Sequence, residues 1–319
     1  MSGALEDLGS WRAADEAAQD AAIEAVVEQL AGFSWVRTAE YACGGQSHRI
    51  ATVRHNSTGI ELQLLPGGSY ERGAEEDREY AATSHATEET EDFTDSRALL
   101  ASETVRPFLI GRLLLSERQW ATLVELQGPP PGDTKAKVGW QEATKLLARA
   151  GFRFRIPTDA EWEYACRSGT TTRNYWGDET VDPIPPTNAF GVSHMQGRPW
   201  EWVSDPYEIS YRSKPDGERC GWNYRVMRGG AGNGATRGFS ATAFSLFVLD
   251  GGATYDHDCH GVRVAVSIVR AYDRTRSFAL GDRVAHKTFG EGAVVKVLEK
   301  HVHVRFDSDG DLRTLAVGR

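Results

Sequence analysis

Hydrophobic positions first recur with helical spacing over residues 10–30. There Ile23, Val26, Val27 and Leu30 fall at i, i+3, i+4 and i+7, and Asp15, Glu16, Asp20, Glu24 and Glu28 take the opposite face. Gly32 follows as a stop, so the pattern predicts one amphipathic helix packed on the elements after it. Residues 35–41, 48–54 and 60–65 then read as strands parted by Gly44-Gly45 and by a turn at 56–59, a three-strand meander. Residues 105–115 predict a strand, and 116–126 a helix capped by Ser116. Residues 139–151 predict a second short helix with Trp140, Ala143, Leu146 and Leu147 on one side.

The fullest start signal lies at 155–168 (RIPTDAEWEYACRS). Thr158 is placed to cap, Glu161 stands three residues later to answer it, and Gly169 ends the run. Residues 170–205 are rich in turns, with Pro183, Pro185, Pro186 and Pro199. Within them Trp200-Glu201-Trp202 sets one carboxylate between two large rings, which requires a buried partner for Glu201 or a metal.

The 319 residues suffice for one large core with small appendages. A net charge of −9 argues against a general binder of nucleic-acid backbone. No long apolar run and no basic-then-apolar leader are present, so the expected location is cytoplasmic, away from membranes. Cys43, Cys166, Cys220 and Cys259 form no CxxC pair and fit reduced thiols. Residues 74–95 hold Glu75, Glu76, Asp77, Glu79, Glu88, Glu89, Glu91, Asp92 and Asp95 against Arg78 alone, which predicts a solvated insertion.

Four motifs occur in a telling order: Arg155–Ala165 as RIPTDAEWEYA, residues 197–205 as GRPWEWVSD, 225–231 as RVMRGGA, and Gly261-Val262-Arg263. Together with Pro66-Gly67-Gly68-Ser69-Tyr70 they resemble the formylglycine-generating-enzyme (sulfatase-modifying factor) family across about 59–266. The resemblance implies an α+β, loop-rich, C-type-lectin-like fold. It also implies a structural calcium site, with the carbonyls of His194, Gly197 and Pro199 and the carboxylate of Glu201 as ligands. The competing arrangement pairs Glu201 with Arg198, which stands where the family usually has Asn, and dispenses with the ion. Catalytic members oxidise a substrate cysteine through two cysteines of their own beyond the R-G-G-S motif. Here Phe239 and Phe244 occupy those places and no copper is expected, since a soft copper(I) ion needs thiolates.

Residues 231–262 use an unusual alphabet, with no Lys, Glu, Gln, Trp or Met. NNY codons cannot encode those five types. The stretch therefore resembles the variable region of diversity-generating retroelement proteins, which often use a lectin-like scaffold. The resemblance makes Asn233, Phe239, Phe244, Phe247, Leu249, Tyr255, His257 and His260 candidate contact residues. The competing reading makes 244–249 an ordinary buried strand.

Residues 270–277 read as a polar linker and 278–319 as a separate β unit. Gly281-Asp282-Arg283-Val284-Ala285-His286 and Phe289-Gly290-Glu291-Gly292 resemble the Tudor-like barrel that ends UvrD-type helicases, a protein-docking module. The expected layout is thus a helix and meander at 1–58, a lectin-like domain at 59–269, a linker, and an SH3/Tudor-like barrel. The expected function is non-catalytic binding of a ligand or protein through 231–262, with a protein partner also on the barrel. The alternatives are a metal-dependent oxidoreductase with a rearranged site, using His257, Cys259 and His260, and a structural subunit of a larger assembly.

Overall fold

Two aspartates divide the N-terminal helical region. The Asp7 carboxylate accepts from the Ser10 amide and starts α1 (Leu8–Ala13), and the Asp15 carboxylate accepts from the Ala18 amide and starts α2 (Glu16–Val27). Ala14 between them is extended, so the single helix expected over 10–30 is two. Ile23, Val26 and Leu30 are buried and Val27 partly so, as the spacing indicated, and Gln19 and Ala22 are buried with them.

The computed structural model describes residues 3–73, 101–124, 136, 138–149, 153–179, 181, 183–197, 199–206, 224–229, 244–248, 260–275, 277–278 and 281–317. The first strands are β1 (Phe33–Cys43), β2 (Gln46–His55), β3 (Glu61–Leu65) and β4 (Gly68–Arg72). There follow β5 (Ala101–Val105), β6 (Phe108–Gly111), α3 (Glu117–Leu123), α4 (Trp140–Arg149), β7 (Phe154–Arg155) and α5 (Asp159–Arg167). Then come β8 (Trp200–Pro206), β9 (Tyr224–Arg228), β10 (Phe244–Val248), β11 (His260–Gly261), β12 (Ala265–Ser267) and β13 (Val269–Ala271). The chain ends in β14 (Arg283–His286), β15 (Gly290–Val297), β16 (His301–Phe306) and β17 (Leu312–Ala316).

The fold is mixed α+β. The expected meander forms β1-β2-β3 and extends into a six-stranded sheet ordered β1-β2-β3-β6-β12-β7. The strand expected at 105–115 is broken at Pro107, which has no amide to donate. Val105 closes β5, which pairs with β4, and 108–111 form β6, between β3 and β12; the rest of the expected span is not strand. The centre of this sheet is buried on both faces. Leu62, Leu64 and Leu109 join a cluster with Trp11, Ile23, Phe154 and Trp202. Leu65, Phe108 and Ile110 join a second with Trp162, Tyr164, Phe190 and Val226. That period-two division places α5 and the site on the second face.

The tail forms a five-stranded sheet, β13-β14-β15-β16-β17, over its own core of Phe278, Val284, Val294, Val302, Val304, Phe306 and Leu315. The residues expected to be a linker at 270–277 begin inside β13, which pairs in parallel with β14. Among the described residues the ladders run from β13 to β17 in that order, and the Tyr272 hydroxyl donates to the Ala316 carbonyl of β17. No helix among the described residues is long and apolar enough to cross a membrane.

Candidate functional site

Helix α5 is the post on which the site is built. Thr158 Oγ1 accepts from the Glu161 amide at 3.1 Å while the Glu161 carboxylate accepts from the Thr158 amide at 2.8 Å, the reciprocal cap predicted from sequence. Arg155 grips Glu161 with both terminal nitrogens at 2.6 Å. Burial pushes the Glu161 carboxyl up, and Arg155 with the Thr158 donors holds it below its usual range. The helix ends with Ser168 in the left-handed region, φ 46°, followed by Gly169 at φ 90°.

The helix presents Asp159, Trp162 and Glu163 to two buried arginines. Arg228, at the end of β9, donates through Nε to Asp159 Oδ1 at 2.6 Å and through Nη2 to Glu163 Oε2 at 3.0 Å. Arg167 holds the other Glu163 oxygen at 2.9 Å, and the Gly73 amide donates to that same oxygen at 2.9 Å. Burial works against the charge on Arg228, but the two carboxylates outweigh it and raise its pKa. Arg263 donates to both oxygens of Glu201, at 2.6 and 2.8 Å, and to the carbonyls of Gly111 (2.7 Å) and Ser193 (3.0 Å). The Trp162 indole adds a third donor to Glu201 at 2.7 Å.

This arrangement bears on the calcium ligand expected at Glu201. Both carboxylate oxygens are filled by three N–H donors, and a full positive charge lies 2.6 Å away. A divalent cation there would be repelled by the guanidinium. Glu201 therefore does not fit a calcium ion, although His194, Gly197 and Pro199 lie before β8 and Glu201 is its second residue. Arg198, the arginine expected to replace the ion, lies outside the described residues; the partner of Glu201 is Arg263.

The site strands form a sheet ordered β10-β9-β8-β11. In it Arg228 lies opposite Glu201 on one side, and Gly261 lies opposite Glu201 on the other. The unusual stretch thus leaves and re-enters the frame one strand to either side of the same carboxylate. Phe244 and Phe247 fall in β10, with Phe244 in register with Arg228 and Phe247 with Arg225. His260 begins β11. Asn233, Phe239, Leu249, Tyr255, His257 and Cys259 lie outside the described residues.

Beside the re-entry point a groove of about 660 Å³ is lined by Leu113, Leu114, Arg112, Glu61, His194 and Pro199 among others. Gly261 packs against one of its lining residues: a Cβ there would sit 2.8 Å from Leu114 Cδ1. Glu61 gathers Arg37 at 3.1 Å, Arg54 at 3.0 Å and Arg112 at 3.7 Å. His194 adopts φ 60°, an uncommon conformation for a residue with a side chain.

Asp159, Glu163 and Arg228 were not singled out from the sequence. A signal existed: Asp159, Glu163 and Arg167 are spaced four apart, which places three charges on one face of a helix that is otherwise buried.

Residues 48–186 match the family model described as the sulfatase-modifying factor enzyme 1-like domain. The formylglycine-generating enzyme of Streptomyces coelicolor is 30% identical over 188 residues, which is 49% of this chain and 53% of that relative. The chain spans from a third to about half of the length of the curated relatives it matches first. Among solved structures, PvdO from Pseudomonas aeruginosa superposes at a TM-score of 0.46 with 20% identity, covering 65% of this chain and 94% of that one. Treponema denticola variable protein 1 superposes at 0.40 with 15% identity, covering 72% of this chain and 99% of that one.

Proposed function

We propose that this chain is a non-catalytic binding protein on a sulfatase-modifying-factor-like scaffold, with 231–262 as its contact surface for a ligand or protein. The observation that carries this reading is the pair of buried clamps at the ends of that stretch. Arg228 on Asp159 and Glu163, and Arg263 on Glu201, fix the exit and the return on either side of one carboxylate. A stretch anchored in this way can change its residues without disturbing the core. The alphabet of 231–262 supplies small and aromatic side chains suited to adaptable contacts. The C-terminal sheet is assigned a second, protein-docking role.

The reading also requires that cysteine oxidation is not performed. The places that resemble the family's cysteine pair hold Phe239 and Phe244, and no cysteine falls between Cys220 and Cys259. Purified protein given copper(I), oxygen and a cysteine-bearing peptide should return the peptide unchanged; formation of the aldehyde would overturn the reading. The double variant Phe244→Ala/Phe247→Ala should keep its melting temperature within about 3 °C, because contact residues contribute little to folding. A loss of ten degrees or more would assign at least one of the rings to the core.

A further inference from the structure

A second cleft lies between the core and the C-terminal sheet, lined by residues from β5, α4, the start of α5, β12 and β14. Its volume is about 600 Å³, within the range of sites for small organic ligands. The walls are mostly apolar, including Val105, Trp140, Leu147, Phe154 and Ile268. Four arginines line it, Arg106, Arg155, Arg270 and Arg283, against two acids, Glu161 and Asp282. Two of the four are already matched. Arg155 is held by Glu161, and Arg283 by Asp307 and Glu291.

The other two are held less closely. Arg106 and Arg270 converge on one neutral acceptor, the carbonyl of Ser277, at 3.5 and 3.3 Å. Arg106 adds only a 3.3 Å contact to Ser277 Oγ. Charge-assisted hydrogen bonds run near 2.7–2.9 Å, so all three contacts are slack. The carboxylates nearest Arg270, Asp282 at 3.6 Å and Glu6 at 3.8 Å, balance charge without a close hydrogen bond. Arg270 is only 8% exposed, and its Nε is buried with no hydrogen-bond partner. Two guanidinium groups brought to one neutral oxygen leave donors suited to a shared anion.

We propose that this cleft binds a small organic acid, a carboxylate on an apolar body, with the carboxylate between Arg106 and Arg270 and the body against Trp140, Leu147 and Ile268. The site is independent of the contact stretch at 231–262. No bond is made or broken in it.

The test is calorimetric titration of the full chain with 4-phenylbutyrate, 4-phenylbutanol and inorganic phosphate. One equivalent of 4-phenylbutyrate should bind, at least tenfold tighter than the alcohol or phosphate. Arg106→Gln, at a half-buried position, should weaken the acid about tenfold and leave the alcohol unchanged. Thr144→Trp, at an exposed helix position on the cleft wall, should block the acid with no loss of thermal stability. The proposal is overturned if the acid fails to bind at millimolar concentration, if the alcohol or phosphate binds as well, or if Thr144→Trp binds the acid like the parent chain.

Discussion

Arg263 and Glu201 form a two-pronged ion pair at 2.6 and 2.8 Å with neither side chain exposed to solvent. A buried pair recovers its desolvation cost only when every donor and acceptor is used. That condition is nearly met here: four of the five Arg263 N–H groups are used, on Glu201, Gly111 and Ser193, and Trp162 adds a third donor to Glu201. Arg263→Met should therefore cost about 3–5 kcal/mol, since it strands a buried carboxylate. Glu201→Met should cost about as much. The double variant should cost clearly less than the sum, because no orphaned charge remains. Urea unfolding of the three variants gives the coupling directly, and additive losses would show that the two residues do not act as a unit.

Calcium provides a separate test of the same pair. With both Glu201 oxygens occupied by N–H donors, addition of millimolar calcium or of a chelator should move the melting temperature by less than about 1 °C. A saturable rise of several degrees with calcium would mean that Arg263 yields its place to the ion.

What was legible in the sequence follows from the range of the interactions. The cap at Thr158 and Glu161 and the stop after Ser168 are local, and both appear where the residues put them. The Ser116 cap on α3 is likewise reciprocal with Gln119. The meander was visible because its turns are short. The split of α1 from α2 was missed because hydrophobic period alone ignores that Asp15 competes for backbone amides. The break at Pro107 was present in the sequence as a missing donor. The partner of Glu201 was not legible, because Arg263 lies 62 residues away and nothing local distinguishes it from Arg198. Trp200-Glu201-Trp202 announced that a buried partner was needed but not which residue supplies it.

His48 gives a dependence on pH with a defined sign. Its ring accepts from Arg12 Nε at 3.2 Å and donates from Nε2 to the Ser168 carbonyl at 2.9 Å, which fixes the neutral form. Burial lowers its pKa from 6.5 to about 4, opposed by the Ser168 carbonyl and assisted by Arg12. Burial also lowers the pKa of His55. Between those values the unfolded chain binds a proton that the folded chain refuses. Stability should therefore fall as pH drops from about 6.5 toward about 4, by on the order of 2 kcal/mol from His48. Denaturation at pH 7 and pH 4.5 measures the fall, and His48→Gln should flatten it. An unchanged slope in that variant would assign the effect to carboxylates.

The clamped frame predicts opposite sensitivities for neighbouring residues. Gly229, next to Arg228, has φ 101°, and a Cβ there would lie 2.8 Å from the Met195 carbonyl oxygen. That carbonyl belongs to the loop that Gly197 ties back to Gly229 through a 3.2 Å backbone hydrogen bond. Gly229→Ala must strain the backbone and push that loop away, at a cost of about 2–4 kcal/mol. Residues 231–243 and 249–259 lie between Arg228 and Arg263 in the sequence. Shuffling their sequence within the same residue alphabet, with 244–248 kept as the strand beside β9, should change stability by less than about 1 kcal/mol. The two experiments are read together by thermal unfolding. If the shuffled chains unfold as readily as Gly229→Ala, then 231–262 is part of the core, and the idea of a contact surface carried on a fixed frame is lost.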